Sequence, residues 1–139
     1  MLFLLDTNVI SELRKANSGK AEPKVVEWAE SVDLNDCFLS VISVLEIEKG
    51  ILAKERKDAP QGRILRHWFE EQVLSEFSDR ILTIDKAVTL FCANLHVPDK
   101  RSQSDALIAA TARVHGLTVV TRNTDDFIGM HARLLNPWL

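Results

Sequence analysis

The chain has 139 residues, 46% of them hydrophobic and 27% charged, which suits a globular protein with its own core and is too short for two ordinary domains. A formal net charge of −3 argues against a protein that coats nucleic acid nonspecifically, since such binding needs Lys and Arg to neutralise phosphates, but not against an enzyme that meets nucleic acid locally. No apolar run approaches the roughly 20 residues of a membrane span, the start lacks a signal-peptide pattern, and Cys37 and Cys92 stand alone, so a cytoplasmic protein with two buried thiols is expected.

The run "LFLL" at 2–5 is too short for a helix core and reads as a strand buried on both faces. Thr7 to Lys15 reads as a helix, broken by "NSGK" at 17–20. Pro23 suits the first turn of the next helix, whose apolar stripe holds Val25, Val26, Trp28 and Ala29. "CFLSV" at 37–41 is a second strand, and a helix is expected from Ser43 with Val44, Leu45, Ile47, Ile51 and Leu52 at helical spacing. "AKERKDAPQG" at 53–62 is expected as a loop or frayed end, and 63–77 as an amphipathic helix. "RILTID" gives a third strand, and Asp85 caps a helix running to His96. After the polar loop "VPDKRSQ", the run "SDALIAATARVHG" is a helix that stops at Gly116. "LTVVT" is a fourth strand and "RLLN" near the end a fifth.

Short apolar strands alternating with helices mean a parallel sheet covered on both faces, in one domain over 1–139 without repeats. Ligands of such sheets bind beyond the carboxyl ends of the strands. Asp6 lies at such an end. Glu46 sits just inside the helix after the second strand, Asp105 opens the helix before the fourth, and "TRNTDDF" at 121–127 follows the fourth. A parallel sheet gathers all these positions at one edge. Carboxylates so gathered repel one another, and a hard divalent cation such as Mg2+ or Mn2+ relieves the repulsion.

Each acid also has a purely structural explanation. Asp6 can cap the following helix, Ser43 and Glu46 fit the S-x-x-E capping box, and Asp105 suits the first turn of a helix. Other polar residues offer less. His67, His96, His115 and His131 lack metal-ligand spacing, no glycine-rich phosphate loop occurs, and Trp28, Trp68 and Trp138 read as core or interface anchors. Arg56, Lys57, Arg63 and Arg66 form a solvated face or line an RNA path.

With "LLDTNVISEL", "SVISVLEIEKG", "SDALIAATARVHGLTVVTRNTDDF" and the terminal "NPW" in view, the chain resembles PIN-domain toxins of the VapC and FitB type over nearly its whole length. The resemblance implies a three-layer α/β/α sandwich around a mostly parallel sheet of four to five strands. It implies a Mg2+- or Mn2+-dependent endoribonuclease, paired with a small antitoxin that often binds DNA. It also implies homodimers, commonly held in larger toxin-antitoxin assemblies. Asp6, Glu46 and Asp105 match the three principal acids of that family. The fourth, often an aspartate directly after T-R, is Asn123 here, with Asp125 or Asp126 placed to compensate.

The reaction implied is hydrolysis of an RNA phosphodiester by metal-activated water. Asp6 and Asp105 hold the ion, and Glu46 binds it or orients the water. Asn123 and Asp126 complete the outer shell, Thr7 and Thr121 position the acids or waters, and Lys100, Arg101 and Arg122 either hold phosphates or are exposed loop charge. Two rivals stand beside it. One is a non-catalytic module whose acids grip an arginine of a partner. The other is a receiver-like or phosphatase-like domain, against which Asn8 counts because it occupies the place of the second acid in a DxD pair. A dimer contact through 63–77, with Trp68 and Phe69 in it, is a further expectation.

Overall fold

The computed structural model describes all residues from Met1 to Leu139. The strands are β1 (Phe3–Leu5), β2 (Cys37–Ser40), β3 (Ile81–Leu82), β4 (Thr118–Val120) and β5 (Arg133–Leu135). The α-helices are α1 (Thr7–Leu13), α2 (Pro23–Ser31), α3 (Val41–Lys57), α4 (Ala59–Trp68), α5 (Lys86–Leu95) and α6 (Gln103–His115). All strand pairs are parallel, in the order β3-β2-β1-β4-β5. The chain builds outward from β1 on one side through β2 and β3, then returns to β1 on the other side with β4 and β5. The order reverses at β1, and the crevice at such a reversal is where open parallel sheets bind ligands.

The two faces of the sheet carry separate cores, because successive strand side chains point opposite ways. Leu4 and Val119 face α5 and α6 and pack with Val88, Cys92, Ile108 and Ala109. Phe3, Leu5 and Val120 face the other layer and pack with Val9, Ile10, Ile47, Phe69 and Val73. A three-layer α/β/α sandwich results, as the sequence leads one to expect. Both cysteines are buried, and no helix is long and apolar enough to cross a membrane.

Four features differ from the sequence reading. The helix after β2 starts at Val41, because Ser40, not Ser43, accepts the capping hydrogen bond, from the Ile42 N–H at 3.0 Å. Residues 53–62 are helical instead of a loop. The good helix formers of "AKERK" carry α3 to Lys57, and one residue, Asp58, separates it from α4. Asp58 caps α4 by accepting from the Gln61 N–H at 3.2 Å, and Pro60 falls in the first turn, where a missing N–H leaves no bond unmade.

The segment 63–77 is not one continuous α-helix. From Phe69 to Leu74 it widens into a π-helix, with Phe69 and Val73 both buried. The expected dimer contact is corrected in part by this packing. Phe69 is 1% exposed and belongs to the chain's own core, while Trp68 is half-buried against the same cluster. The third strand is also shorter than "RILTID", pairing only through Ile81 and Leu82.

Candidate active site

Asp6 stands directly after β1, its N–H donating to the Val120 carbonyl at 2.9 Å, so the residue is locked in register with β4. Its carboxylate is buried and has three donors. Oδ1 accepts from the Thr7 N–H at 2.8 Å, which is the cap of α1 expected from the sequence. Oδ2 accepts from the Thr121 hydroxyl at 2.8 Å and from Asn8 Nδ2 at 3.3 Å. The cap alone therefore does not account for this aspartate.

Thr121 follows β4 and is fully buried. Besides donating to Asp6, its hydroxyl oxygen accepts from Asn8 Nδ2 at 3.3 Å and from the Asn123 N–H at 3.0 Å. Asn8 Oδ1 in turn accepts from the Arg122 N–H at 3.2 Å. Asn8 thus ties the start of α1 to the segment after β4. The sequence marks this role only by the place of Asn8, two residues after Asp6 in the first turn of α1.

Glu46 reaches the same edge from the second turn of α3. Its Oε1 accepts a 2.7 Å hydrogen bond from the Thr7 hydroxyl, linking the helix after β1 to the helix after β2. The capping-box explanation fails for this residue, since Ser40 is the cap and the Ser43 hydroxyl is buried with no hydrogen-bond partner. Asp105 lies half-buried in the first turn of α6, whose cap Ser102 accepts from the Asp105 N–H at 3.5 Å. Asp126 is exposed in the 3-10 turn Thr124–Phe127, which is pinned by buried Phe127.

Electrostatics couple these acids. Burial pushes the Asp6 carboxyl above its ordinary range, the Thr121 and Thr7 hydrogen bonds oppose this, and the charges of Glu46 and Asp126 reinforce it. Asp105 is pushed the same way, by burial first and then by the charges of Asp6 and Asp126, with Glu46 adding to them. The structure thus brings Asp6, Glu46, Asp105 and Asp126 within mutual influence, although no three of the chain's His, Cys, Asp and Glu side chains form a ready-made cage. An open, all-oxygen donor set with unrelieved repulsion fits a hard cation that keeps several of its waters.

The remaining expected residues fall around this centre. Asn123 is exposed and uses its backbone N–H, to Thr121. Lys100 is exposed. Arg101 Nη1 donates to the Ile128 carbonyl at 2.9 Å, and a Cβ at Gly129 would stand 2.7 Å from Arg101 Nη2. That arginine therefore fastens the loop before α6 to the turn after Asp126. The Arg122 guanidinium lies 5.5 Å from the Trp138 ring centroid, and its carbonyl accepts from Asn136 Nδ2 at 3.3 Å.

A family model of the PIN domain matches residues 3–130 of the chain. The chain belongs to the PIN domain family. It is similar to toxin FitB of Neisseria gonorrhoeae, with 34% identity over 99% of both chains. It is also similar to a VapC ribonuclease of Sinorhizobium fredii, with 34% identity over 99% of this chain and 98% of the relative. Among solved structures, FitAcB from Neisseria gonorrhoeae has a TM-score of 0.89 and 34% identity over 99% of both chains.

Proposed function

We propose that this PIN domain is a Mg2+- or Mn2+-dependent endoribonuclease and the toxin of a toxin-antitoxin pair, acting in the cytoplasm as a homodimer. The observation that carries the reading is the meeting of Asp6, Glu46, Asp105 and Asp126 at the carboxyl edge of β1 and β4, each brought there by a different segment of the chain. Relatives named a toxin and a ribonuclease support it.

In this reading Asp6 and Asp105 hold the ion. When bound, it supplies positive charge for a phosphate under attack and activates water. Glu46, held by Thr7, orients the attacking water, and Asn123 and Asp126 order the outer waters. Thr121 and Asn8 keep the Asp6 carboxylate aimed. Lys100, Arg101 and Arg122 lie on the side where RNA phosphates arrive. The antitoxin partner follows from the toxin reading, and an arginine of that partner is the natural competitor for the same acids.

The deciding experiment is cleavage of a mixed cellular RNA pool by the purified protein with Mg2+, Mn2+ or chelator, beside Asp6→Asn and Asp105→Asn. Metal-dependent fragments that vanish in both variants are expected. Well-folded protein that cuts nothing with either metal refutes the reading and leaves a partner-binding module.

A further inference from the structure

The acidic edge opens sideways into a trough of about 250 Å³ with a mostly apolar wall of Ile47, Ile51, Leu65 and Trp68, and with Thr7, Arg14 and Glu46 as well as Gly50 on its rim. The Thr7–Glu46 hydrogen bond is shared between the two, so the trough begins where the acids end. Gly50 is the informative residue. A glycine inside a helix weakens it, and a Cβ at Gly50 would meet nothing within 4 Å, so no packing within the chain calls for glycine there. Gly62 differs, since a Cβ at that position would lie 2.5 Å from Glu55 Cα. The bare position at Gly50 keeps the trough open.

Beyond Gly50 stands Trp68, with the Arg14 guanidinium 5.9 Å from its ring centroid. Arg14 has no carboxylate within ion-pair distance. It also borders a second bay, of about 530 Å³, together with Lys15, Asn17, Ser18 and Lys20 and without any hydrophobic residue. Arg14 lines both, so a basic bay adjoins a trough that leads to an acidic centre, an unusual surface for a chain of net charge −3. Its charge and its ring both suit one occupant, a flexible polyanion carrying flat bases.

We propose that a single-stranded RNA leaves the carboxylate centre through this trough, with one base stacked on Trp68 beside Arg14 and the following phosphates in the bay of Arg14 and Lys20. This rests on the ribonuclease reading above. Phosphate contacts from Arg14 and Lys20 set the register of the strand, and stacking on Trp68 tolerates any base.

The test is binding of a short fluorescein-labelled oligouridine to the whole chain in chelator, across a salt series. Removing both cations, in Arg14→Ala/Lys20→Ala, is expected to weaken binding about tenfold and to flatten the slope of log affinity against log salt by about 1.4, two single-strand phosphate contacts. Filling the trough with Gly50→Leu is expected to weaken binding comparably while the melting temperature holds or rises. The charge-matched control Lys24→Ala/Lys86→Ala, two exposed lysines outside the trough and the bay, should keep its affinity.

Unchanged affinity in both trough variants overturns the proposal. Metal-dependent RNA cleavage by the unaltered protein, beside Asp6→Asn, is scored separately. Cleavage with unchanged affinities removes the track alone, whereas weakened binding in a protein that never cleaves RNA removes the ribonuclease reading alone.

Discussion

The Thr7 hydroxyl donates a 2.7 Å hydrogen bond to Glu46 Oε1 across 39 residues of sequence, joining the helices that leave β1 and β2. Without that bond the glutamate is an exposed side chain free to turn into solvent. Thr7→Val is expected to lower RNA cleavage by about tenfold, less than the roughly hundredfold lower end for removing a positioned proton-transfer group, because Glu46 itself remains. Unfolding free energy should move by no more than about 1 kcal/mol, since an exposed hydrogen bond adds little to stability. Cleavage rates and urea titrations on the same preparation separate the two effects.

Thr121 presents the opposite balance, because its hydroxyl is wholly buried and serves Asp6, Asn8 and Asn123 together. Thr121→Val removes a donor from a buried carboxylate and an acceptor from two N–H groups. A loss of about 1–3 kcal/mol in urea unfolding is expected, the usual range for buried polar groups left without partners. The pH at which metal-dependent cleavage is half-maximal should also move upward, because the Thr121 hydrogen bond holds the Asp6 carboxyl down against burial.

Acidity of the centre has a definite sign. Asp6 and Asp105 both titrate above 3.8, so from that value up to their raised ones the folded chain holds more protons than the unfolded chain. Their contribution to stability is present below 3.8 and is lost as pH rises through the raised values. Metal-free protein is expected to lose thermal stability on this account as pH climbs, and Asp6→Asn should melt higher than the unaltered protein at neutral pH. Mn2+ at 100 times its dissociation constant should add about 2.7 kcal/mol to the unaltered protein and far less to Asp6→Asn. Calorimetry with and without Mn2+ at two pH values checks all three statements.

Gly62 lies where α4 crosses α3, and an added Cβ would stand 2.5 Å from Glu55 Cα and 2.8 Å from its N. Backbone atoms cannot step aside as a side-chain tip does. Gly62→Ala is therefore expected to destabilise the fold by about 1–3 kcal/mol, the usual cost of overpacking, despite alanine's better helix propensity. Gly50→Ala, on the open side of α3, should be neutral or stabilising. Parallel urea curves for the two variants compare them directly.

Much of this protein was legible along the chain. The alternation of short apolar runs with amphipathic segments specified parallel strands and covering helices, because a strand buried on both faces must be apolar at every position. The acids Asp6, Glu46 and Asp105 were legible as well, since each falls beside a strand's carboxyl end, where topology alone delivers it to the functional edge.

Tertiary structure decided what depends on neighbours distant in sequence. The helical state of 53–62 was hidden by Pro60, whose effect depends on Asp58 starting a new helix just before it. Glu46 fits a capping box with Ser43 in one dimension, and only the fold shows Ser40 as the cap and Thr7 as the glutamate's partner. The role of Asn8, the enclosure of Phe69 and the open side of Gly50 likewise exist only once the sheet and helices are packed. Local pattern determines which elements form and where their ends lie. Hydrogen bonds and cavities between elements depend on distances that no local pattern contains.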